Sequence, residues 1–246
     1  MAERKKGRWV TGIHASAECF RSHPGQIQEI CFQDLAIAKS IFWQPLLQKS
    51  RVKPTQKSIS FFKELSEFGH QNVAVFTAHQ PQPREFAGSS SVLFLDGVED
   101  PHNLGAIVRT AWLMGTSEIF ISEKNSVKMT PTASKVASGG AEYVPVSETH
   151  FLSEMKALKD KGYWIYGFSE KAQKNLYEIQ FPEKVVLVYG SEEKGIRIPI
   201  LNECDELLSI PQVQAQASYN VSVSVALGLA EFERQQFIKN KKPSWT

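Results

Sequence analysis

Three polar segments that contain glycine hold the residues of this 246-residue chain that are best suited to chemistry. Each follows a short apolar run that is typical of a buried strand, and two of them lead directly into a helix. The side chains of interest are an amide, a guanidinium, a carboxylate, a hydroxyl and a second amide: Asn103, Arg109, Glu192, Ser218 and Asn220. In a parallel sheet, ligands bind beyond the carboxyl ends of the strands, so these loops can line one pocket.

The spacing of the glycines excludes two common phosphate-binding loops. No two glycines stand two residues apart, so the G-x-G-x-x-G motif of dinucleotide-binding folds is absent. Gly190 and Gly195 have the separation of a P-loop, but Ile196-Arg197 replaces the required Lys-Ser/Thr pair, and Glu192 and Glu193 would repel phosphate. The pocket therefore suits a ligand with a neutral base and a sulfonium or amine, which acidic residues tolerate.

The elements that must position these loops alternate between strand and helix from residue 92 onward. This alternation predicts an α/β fold with a largely parallel sheet covered on both faces. The predicted strands are Val92–Leu95, Glu118–Ile121, Tyr143–Val146, Tyr163–Phe168, Val185–Tyr189 and Leu207–Ile210. The predicted helices are Ala106–Met114, Phe151–Lys161 with Thr149 as its cap, and Asn220 to about Phe237.

The N-terminal part is predicted to be a separate small α/β unit. It contains two strand patterns, Ile27–Phe32 and Asn72–Thr77, and a helical pattern over Ser58–Phe68 that Gly69 would end. Residues 79–91 are rich in Pro, Gly, Ser and Gln, which is typical of a linker. The resulting division is residues 7–80, a linker at 81–91, and residues 92–240.

Charge is distributed unevenly between the two parts. Residues 1–90 have 12 Lys or Arg against 7 Asp or Glu, and residues 91–246 have 16 against 19. A basic N-terminal part suits a polyanion such as nucleic acid, although a solvated surface explains the same charge equally well. The segment Lys49–Lys57 has four basic residues and no acid, which fits either a loop that contacts phosphates or an exposed connector.

The remaining composition argues for a reduced intracellular protein. The three cysteines are odd in number and far apart, and no C-x-x-C spacing is present, so we expect neither disulfides nor a metal site. No apolar run is long enough to span a membrane and no signal-peptide pattern is present. We therefore expect a cytoplasmic protein that does not interact with membranes.

Three ordered motifs resemble those of the SpoU/TrmH RNA 2′-O-ribose methyltransferases, a branch of the SPOUT superfamily. They are Asn103-x-Gly105-x-x-x-Arg109, Gly190-x-Glu192-x-x-Gly195, and Ile210-Pro211 followed by Ser218-x-Asn220. The N-terminal unit, with Gly12-Ile-His-Ala15, is similar to the small ribosomal-protein-like substrate-binding domain of longer members. The resemblance implies a trefoil knot near the C-terminus, a homodimer, and methyl transfer from S-adenosylmethionine (AdoMet) to a ribose hydroxyl in rRNA or tRNA.

The resemblance also implies roles for individual residues. Arg109 corresponds to the catalytic arginine, and we expect it to clamp a substrate phosphate; a buried salt bridge is the alternative for a charge on an otherwise apolar helix. Asn103 would organise the site across the dimer interface or simply cap the helix. Glu192 would orient Arg or Asn side chains. Ser218 and Asn220 would lie near the methyl-transfer centre, one of them capping the last helix.

The same resemblance places the cofactor on the backbones of Gly190, Ile210 and Tyr219. The third motif departs from the family pattern, because Gln212 stands in place of Met, Gln214 in place of Gly and Tyr219 in place of Leu. A side chain at position 214 could narrow the pocket or redirect the loop, since glycine has no Cβ. A non-catalytic RNA-binding protein that has lost cofactor binding is therefore the alternative function.

Overall fold

Two separate β-sheets organise the chain in the computed structural model, which describes residues 7–65, 70–83, 90–214 and 217–240. The predicted end of the helix at 66–68, its stop at Gly69 and most of the predicted linker lie outside these residues. Within the described part, no helix is both long and apolar enough to cross a bilayer.

The N-terminal sheet has four strands in the order β1-β4-β2-β3. The strands β1, β4 and β2 pair antiparallel, and β3 joins β2 in parallel. Its elements in chain order are β1 (Arg8–Thr11), α1 (Ile13–Ser22), β2 (Ile27–Phe32), α2 (Leu35–Ala38), α3 (Gln44–Gln48), β3 (Pro54–Gln56), α4 (Ile59–Leu65) and β4 (Val73–Thr77). Trp43 fills the core, where its ring meets those of Phe20 and Phe32 edge-on.

The C-terminal sheet has seven strands in the order β7-β6-β5-β10-β8-β11-β9, and every pair is parallel. The predicted parallel α/β sheet is thus confirmed. Its strands are β5 (Ser90–Asp96), β6 (Glu118–Ser122), β7 (Val146–Thr149), β8 (Trp164–Phe168), β9 (Lys174–Asn175), β10 (Lys184–Gly190) and β11 (Glu206–Ser209). Its helices are α5 (Pro101–Leu113), α6 (Pro131–Val136), α7 (Phe151–Asp160), α8 (Ile198–Leu201) and α9 (Val221–Asn240).

Both faces of this sheet are covered, as the alternation of β5 shows. Leu93 and Leu95 join the core beneath α5 and α9, whereas Val92 and Phe94 join the core beneath α7. Because successive side chains of a strand point to opposite faces, a strand buried on both sides must be apolar throughout. This explains why the central strands were the easiest to locate from sequence.

Several predicted boundaries are wrong, all at element ends. The strand expected at Tyr143–Val146 is β7 at Val146–Thr149, because Gly140–Glu142 forms a 3₁₀ turn and the ring of Tyr143 stacks on Trp112. Thr149 therefore ends a strand and does not cap α7, whose N-cap is His150 without a side-chain cap. The predicted linker also extends too far, since Ser90 already belongs to β5.

Candidate active site

A cavity of about 470 Å³ lies beyond the carboxyl ends of three adjacent parallel strands, β10, β8 and β11. This volume is within the range of pockets that hold small molecules. The cavity is lined by residues that follow these strands and by the start of α9, among them Phe168, Tyr189, Gly190, Glu192, Ile210, Gln212, Ser218, Tyr219 and Ser224. The second and third predicted loops therefore meet in this cavity, whereas the first loop, which includes Asn103, does not line it.

The loop after β10 closes one side of the cavity as a tight turn. The Gly195 amide donates to the Ser191 carbonyl at 2.9 Å, and the Lys194 amide donates to the Ser191 hydroxyl at 3.1 Å. Gly190 is required by this closure, because a Cβ there would lie 1.9 Å from the carbonyl carbon of Gly195. The backbone of Gly190 is thus exposed to the cavity without a side chain in the way.

Three predicted site residues are joined by hydrogen bonds beside the cavity. Asn220 Nδ2 donates to Glu192 Oε1 at 2.7 Å and to Asn103 Oδ1 at 3.0 Å, and Asn103 Nδ2 donates to Glu192 Oε1 at 3.2 Å. The carboxylate of Glu192 is exposed rather than buried, but these amides satisfy it. The expectation that Glu192 orients amide side chains agrees with this geometry.

The helix caps hold this network in place. Asp100, not Asn103, caps α5, since its carboxylate accepts from the His102 amide at 2.8 Å. The capping alternative for Asn103 is therefore wrong, and its side chain is available to the network. Asn220 does cap α9: its Oδ1 accepts from the Ser222 amide at 2.9 Å while its Nδ2 donates to Glu192.

Arg109 lies outside the network. It is exposed on α5, lines neither of the two cavities near the loops, and has no ion pair with any residue in the described part of the chain. The alternative of a buried salt bridge is thus wrong. Leu113, one turn further along α5, is 66 % exposed, so this side of the helix is an outward surface that carries a cation and an apolar side chain.

The altered third motif leaves the cavity open. Gln212 lines it, whereas Gln214 is exposed and does not, so the expected narrowing by a side chain at 214 does not occur. Residues 215–216 lie outside the described ranges. Tyr219 and Ser218 line the cavity from the other side, and the Tyr219 hydroxyl donates to the Pro211 carbonyl at 3.4 Å.

Sequence reasoning missed the aromatic floor of the cavity. The rings of Phe168 and Tyr189 stack at 4.4 Å with an interplanar angle of 10°. The Tyr189 hydroxyl is buried without a hydrogen-bond partner among the described residues, and burial raises the pKa of this phenol well above its usual value. Both residues end apolar strands that point at the site, which is the signal that could have identified them.

A second cavity of about 260 Å³ lies on the other side of the loop after β10. It shares Ser191, Glu192 and Val221 with the larger cavity and is also lined by Asn103. Its floor contains the buried carboxylate of Asp96, which Arg197 pairs through Nη2 at 2.7 Å. The amide network therefore lies between two cavities, an arrangement that can bring two bound molecules together.

Comparison with known protein families shows to which family this chain belongs. Residues 90–230 match the model of the SpoU rRNA methylase family. The chain belongs to this family. The matched range contains both cavities and the complete seven-stranded sheet, and the SpoU assignment agrees with the resemblance read from the three motifs.

Relatives extend the similarity beyond the SpoU region. The chain is 40% identical over 152 residues to the 23S rRNA (guanosine-2′-O-)-methyltransferase RlmB of Neisseria meningitidis, where the match covers 61% of each chain. It is 30% identical over 242 residues to the RlmB of Pseudomonas aeruginosa, covering 92% of this chain and 96% of that one. The match therefore spans about three fifths of the length of relatives such as the Neisseria protein, and nearly the full length of the Pseudomonas protein.

Solved structures share the fold. The SpoU methyltransferase AviRb from Streptomyces viridochromogenes, in complex with the cofactor AdoMet, superposes with a TM-score of 0.81 at 18% identity, covering 94% of this chain and 91% of that chain. A structure of RNA 2′-O ribose methyltransferase superposes with a TM-score of 0.77 at 19% identity. At these identities the likeness establishes the SpoU fold and nothing finer.

Proposed function

We propose that this protein transfers a methyl group from AdoMet to a ribose 2′-hydroxyl in structured RNA, either rRNA or tRNA. The observation that carries the proposal is the Asn103–Glu192–Asn220 network between two cavities. Membership of the SpoU family and relatives named as 23S rRNA 2′-O-methyltransferases support the same reaction.

The larger cavity fits AdoMet on structural grounds. The chain offers it backbone at Gly190, where no Cβ intervenes, and at Ile210 and Tyr219 on the opposite wall. The stacked rings of Phe168 and Tyr189 provide an apolar floor for a purine. Glu170, Glu192 and Glu193 tolerate a cationic ligand better than a phosphate. When bound, AdoMet supplies the electrophilic methyl group of its sulfonium.

The side chains of the network position the acceptor. Glu192 Oε1 accepts from both Asn103 and Asn220, which fixes their amide groups at the boundary between the cavities. Holding the ribose oxygen in line with the methyl carbon is the main task of the protein in a displacement reaction. We assign Ser218, exposed at the rim of the larger cavity, to the same task.

Arg109 acts on the substrate as a fixed cation. A guanidinium keeps its proton at physiological pH, so it is unsuited to act as a base. It binds an RNA phosphate and electrostatically favours loss of the proton from the nearby hydroxyl, and that proton passes to phosphate or water. Arg109 lies outside both cavities of its own chain. It can therefore act only at the cavity of a second chain or through the RNA that it binds.

A homodimer supplies that arrangement. The exposed side of α5 carries Arg109 and Leu113, and α9 exposes apolar side chains along its length, including Val223 at 44 % and Phe237 at 43 % exposure. Burial of such a surface against a second copy removes apolar area from water. It also brings the Arg109 of one protomer towards the cavities of the other.

The N-terminal unit, residues 7–80, contributes RNA affinity, and a linker that ends before Ser90 joins it to the methyltransferase domain, which begins with β5. The four basic residues of the segment 49–57 provide phosphate contacts, which are sequence-independent and sensitive to salt. The unit is similar to a ribosomal protein in the family resemblance, and recognition by shape suits structured RNA.

We also propose the trefoil knot and a cytoplasmic location. The segment after β11 and the loop after β10 line the same cavity, which is the close association of C-terminal segments that a knot requires. True knots are rare among proteins, so the knot is proposed on the strength of the family resemblance and not from general rules of chain topology. A cytoplasmic location gives access to rRNA and tRNA and agrees with free cysteines at positions 19, 31 and 204.

The reaction is tested with AdoMet labelled in its methyl group and with rRNA and tRNA from cells that lack this protein. We expect label in alkali-resistant dinucleotides, and mass spectrometry of the nucleosides should identify a single 2′-O-methylated residue. Label on a base, or no label in either RNA, would overturn the proposal. The non-catalytic alternative predicts RNA binding without any label, and the open cavity argues against it.

A further inference from the structure

A buried cluster of three potential metal ligands lies where the N-terminal sheet contacts the methyltransferase region. Cys19 and His23 come from the end of α1, and Glu142 comes from the 3₁₀ turn at Gly140–Glu142. The Cys19 sulfur, one ring nitrogen of His23 and one carboxylate oxygen of Glu142 all lie within 4.8 Å of one another. The three residues are 0 %, 7 % and 2 % exposed.

Hydrogen bonding around His23 fixes how its ring faces the cluster. The Ser22 hydroxyl lies 2.7 Å from the Glu18 carbonyl and 2.7 Å from His23 Nδ1. A hydroxyl has one proton, and the carbonyl can only accept, so the Ser22 proton goes to Glu18 and Nδ1 must donate to Ser22. In the neutral ring, Nε2 is then an acceptor.

This acceptor points at another acceptor. His23 Nε2 lies 3.2 Å from Glu142 Oε2, and two lone pairs at that distance repel unless a cation lies between them. Nε2 and the other carboxylate oxygen, Oε1, are buried without a hydrogen bond in the described part of the chain, whereas Oε2 is paired with Arg8. Either a proton on Nε2 or a metal ion can satisfy them; the Cys19 sulfur, which donates to the Ala15 carbonyl at 3.5 Å, lies close enough to serve as a third ligand of the metal.

Arg8 reduces the charge of Glu142 but leaves it able to bind. Its Nη2 lies 2.7 Å from Oε2 and donates to the Ala141 carbonyl at 3.2 Å. The other carboxylate oxygen, Oε1, is buried and has no hydrogen-bond partner among the described residues, so it is still available to a metal ion.

We propose that Cys19, His23 and Glu142 form a three-ligand site for a transition-metal ion, with Zn²⁺ as the best match and the fourth position left to water. A thiolate, an imidazole and a carboxylate are the ligand types that Zn²⁺ combines. The donation from Nδ1 to Ser22 is the outer contact that orients a metal-binding histidine. A thiol must lose its proton to bind a metal ion, so binding at this site releases a proton.

The site would fix the N-terminal unit against the catalytic helix. The turn that carries Glu142 packs on α5, since a Cβ on Gly140 would lie 3.3 Å from the Cα of Arg109. None of the three ligands lines either cavity, so the ion has no part in methyl transfer. This proposal departs from the sequence-based expectation of no metal, which rested on residue spacing, because Cys19 and His23 lie far from Glu142 in the chain.

The test is a titration of the metal-free full chain with Co²⁺, followed by optical absorption. We expect one Co²⁺ per chain, a thiolate-to-metal charge-transfer band, and displacement of both by Zn²⁺. Cys19→Ala should abolish the band and weaken binding by at least the roughly 10–100-fold that loss of an outer contact costs. The control is Cys204→Ala, whose sulfur also donates to the carbonyl four residues earlier and should be without effect.

X-ray absorption on the zinc-loaded wild-type protein keeps the test decisive if Cys19→Ala fails to fold. We expect one sulfur ligand at about 2.3 Å with nitrogen or oxygen ligands at about 2.0–2.2 Å. Absence of Co²⁺ binding by the wild-type chain, a band that survives Cys19→Ala, or a zinc spectrum without sulfur would each overturn the proposal and leave a protonated His23 paired with Glu142. None of these readouts depends on methyl transfer.

Discussion

Asn220 and Glu192 are 28 residues apart in the chain, yet the Nδ2 of Asn220 donates to Oε1 of Glu192 at 2.7 Å. The same asparagine caps α9 through its Oδ1. The start of the last helix is thereby tied to the loop after β10, and both contribute to the larger cavity. Any change that breaks this bond should affect the site more than the fold.

Replacement of Glu192 tests the network. Glu192→Ala removes the acceptor of both asparagines, so we expect methyl transfer at saturating AdoMet to fall by about 10²-fold or more. Glu192→Gln keeps one oxygen acceptor but loses the charge, which roughly halves the strength of the hydrogen bond. The methyl-transfer rate of Glu192→Gln should therefore lie between those of the wild type and Glu192→Ala. Single-turnover assays on methyl-deficient RNA measure both.

The neighbouring residue is the control for this series. Glu193 is an exposed acid in the same loop. Glu193 also lines the cavities but accepts no hydrogen bond from Asn103 or Asn220, so Glu193→Ala should retain the wild-type rate once AdoMet is saturating. Equal losses for the substitutions at 192 and 193 would show that loop charge, not the network, matters.

Arg109→Ala should separate binding from chemistry. Because Arg109 lines neither cavity, we expect unchanged AdoMet affinity and a loss of methyl transfer of roughly 10²–10⁴-fold. Calorimetry and the labelled-methyl assay measure the two properties. Retained turnover would remove Arg109 from the reaction.

Mixed dimers test whether Arg109 acts on the cavity of the partner. Ser224 lines the larger cavity, so Ser224→Phe should fill it without touching Arg109. Mixing and refolding Arg109→Ala with Ser224→Phe should restore about a quarter of wild-type activity, since half of the dimers are mixed and each has one intact site. If Arg109 acts within its own chain, the mixture should stay inactive.

Tyr189 and Gly228 should be energetically coupled. A Cβ on Gly228 would lie 2.0 Å from the Tyr189 hydroxyl, so Gly228→Ala should destabilise the protein by about 1–3 kcal/mol. Tyr189→Phe removes a buried hydroxyl without a partner in the described residues and should be close to neutral. In urea denaturation, the free energy of unfolding of the double variant should be higher than the value obtained by adding the effects of the two single substitutions. Strict additivity would contradict this contact.

Glu233 should make stability depend on pH. Burial raises the pKa of this carboxyl from about 4.5 to about 7. Above pH 7 the folded state must keep a half-buried charge, and this cost disappears as pH falls towards the unfolded pKa. Glu233→Gln should therefore increase the free energy of unfolding by about 1–2 kcal/mol at pH 8, after allowance for partial exposure, and by almost nothing near pH 4.5. An equal gain at both pH values would show that the cause is packing.

The strands of the core could be predicted closely from sequence. The predicted strand at residues 27–32 has the bounds of β2, and the predicted strand at 185–189 lies within β10. A strand that is buried on both faces is a continuous apolar run, and such a run is easy to recognise in the sequence. The strand β7 was misplaced because it is only partly buried, so its sequence has few apolar residues. Tyr143, which was predicted to begin this strand, packs on Trp112 instead.

The site could be predicted as a set of residues but not as a geometry. The order and spacing of the motifs predicted that Asn103, Glu192 and Asn220 lie close together, because loops at one edge of a parallel sheet are neighbours. It could not show that Arg109 faces outward, because the exposed side of α5 is decided by how α6 and α9 pack on the helix. The cluster of Cys19, His23 and Glu142 was missed because only tertiary contacts assemble it.

Calorimetric titration with AdoMet, repeated with S-adenosylhomocysteine as competitor, tests the central claim most directly. The account predicts one site per chain in the wild type, retained in Arg109→Ala and lost in Ser224→Phe together with methyl transfer to RNA. Absence of heat and of competition in the wild type, or binding that survives Ser224→Phe unchanged, would contradict the assignment of the 470 Å³ cavity to the methyl donor.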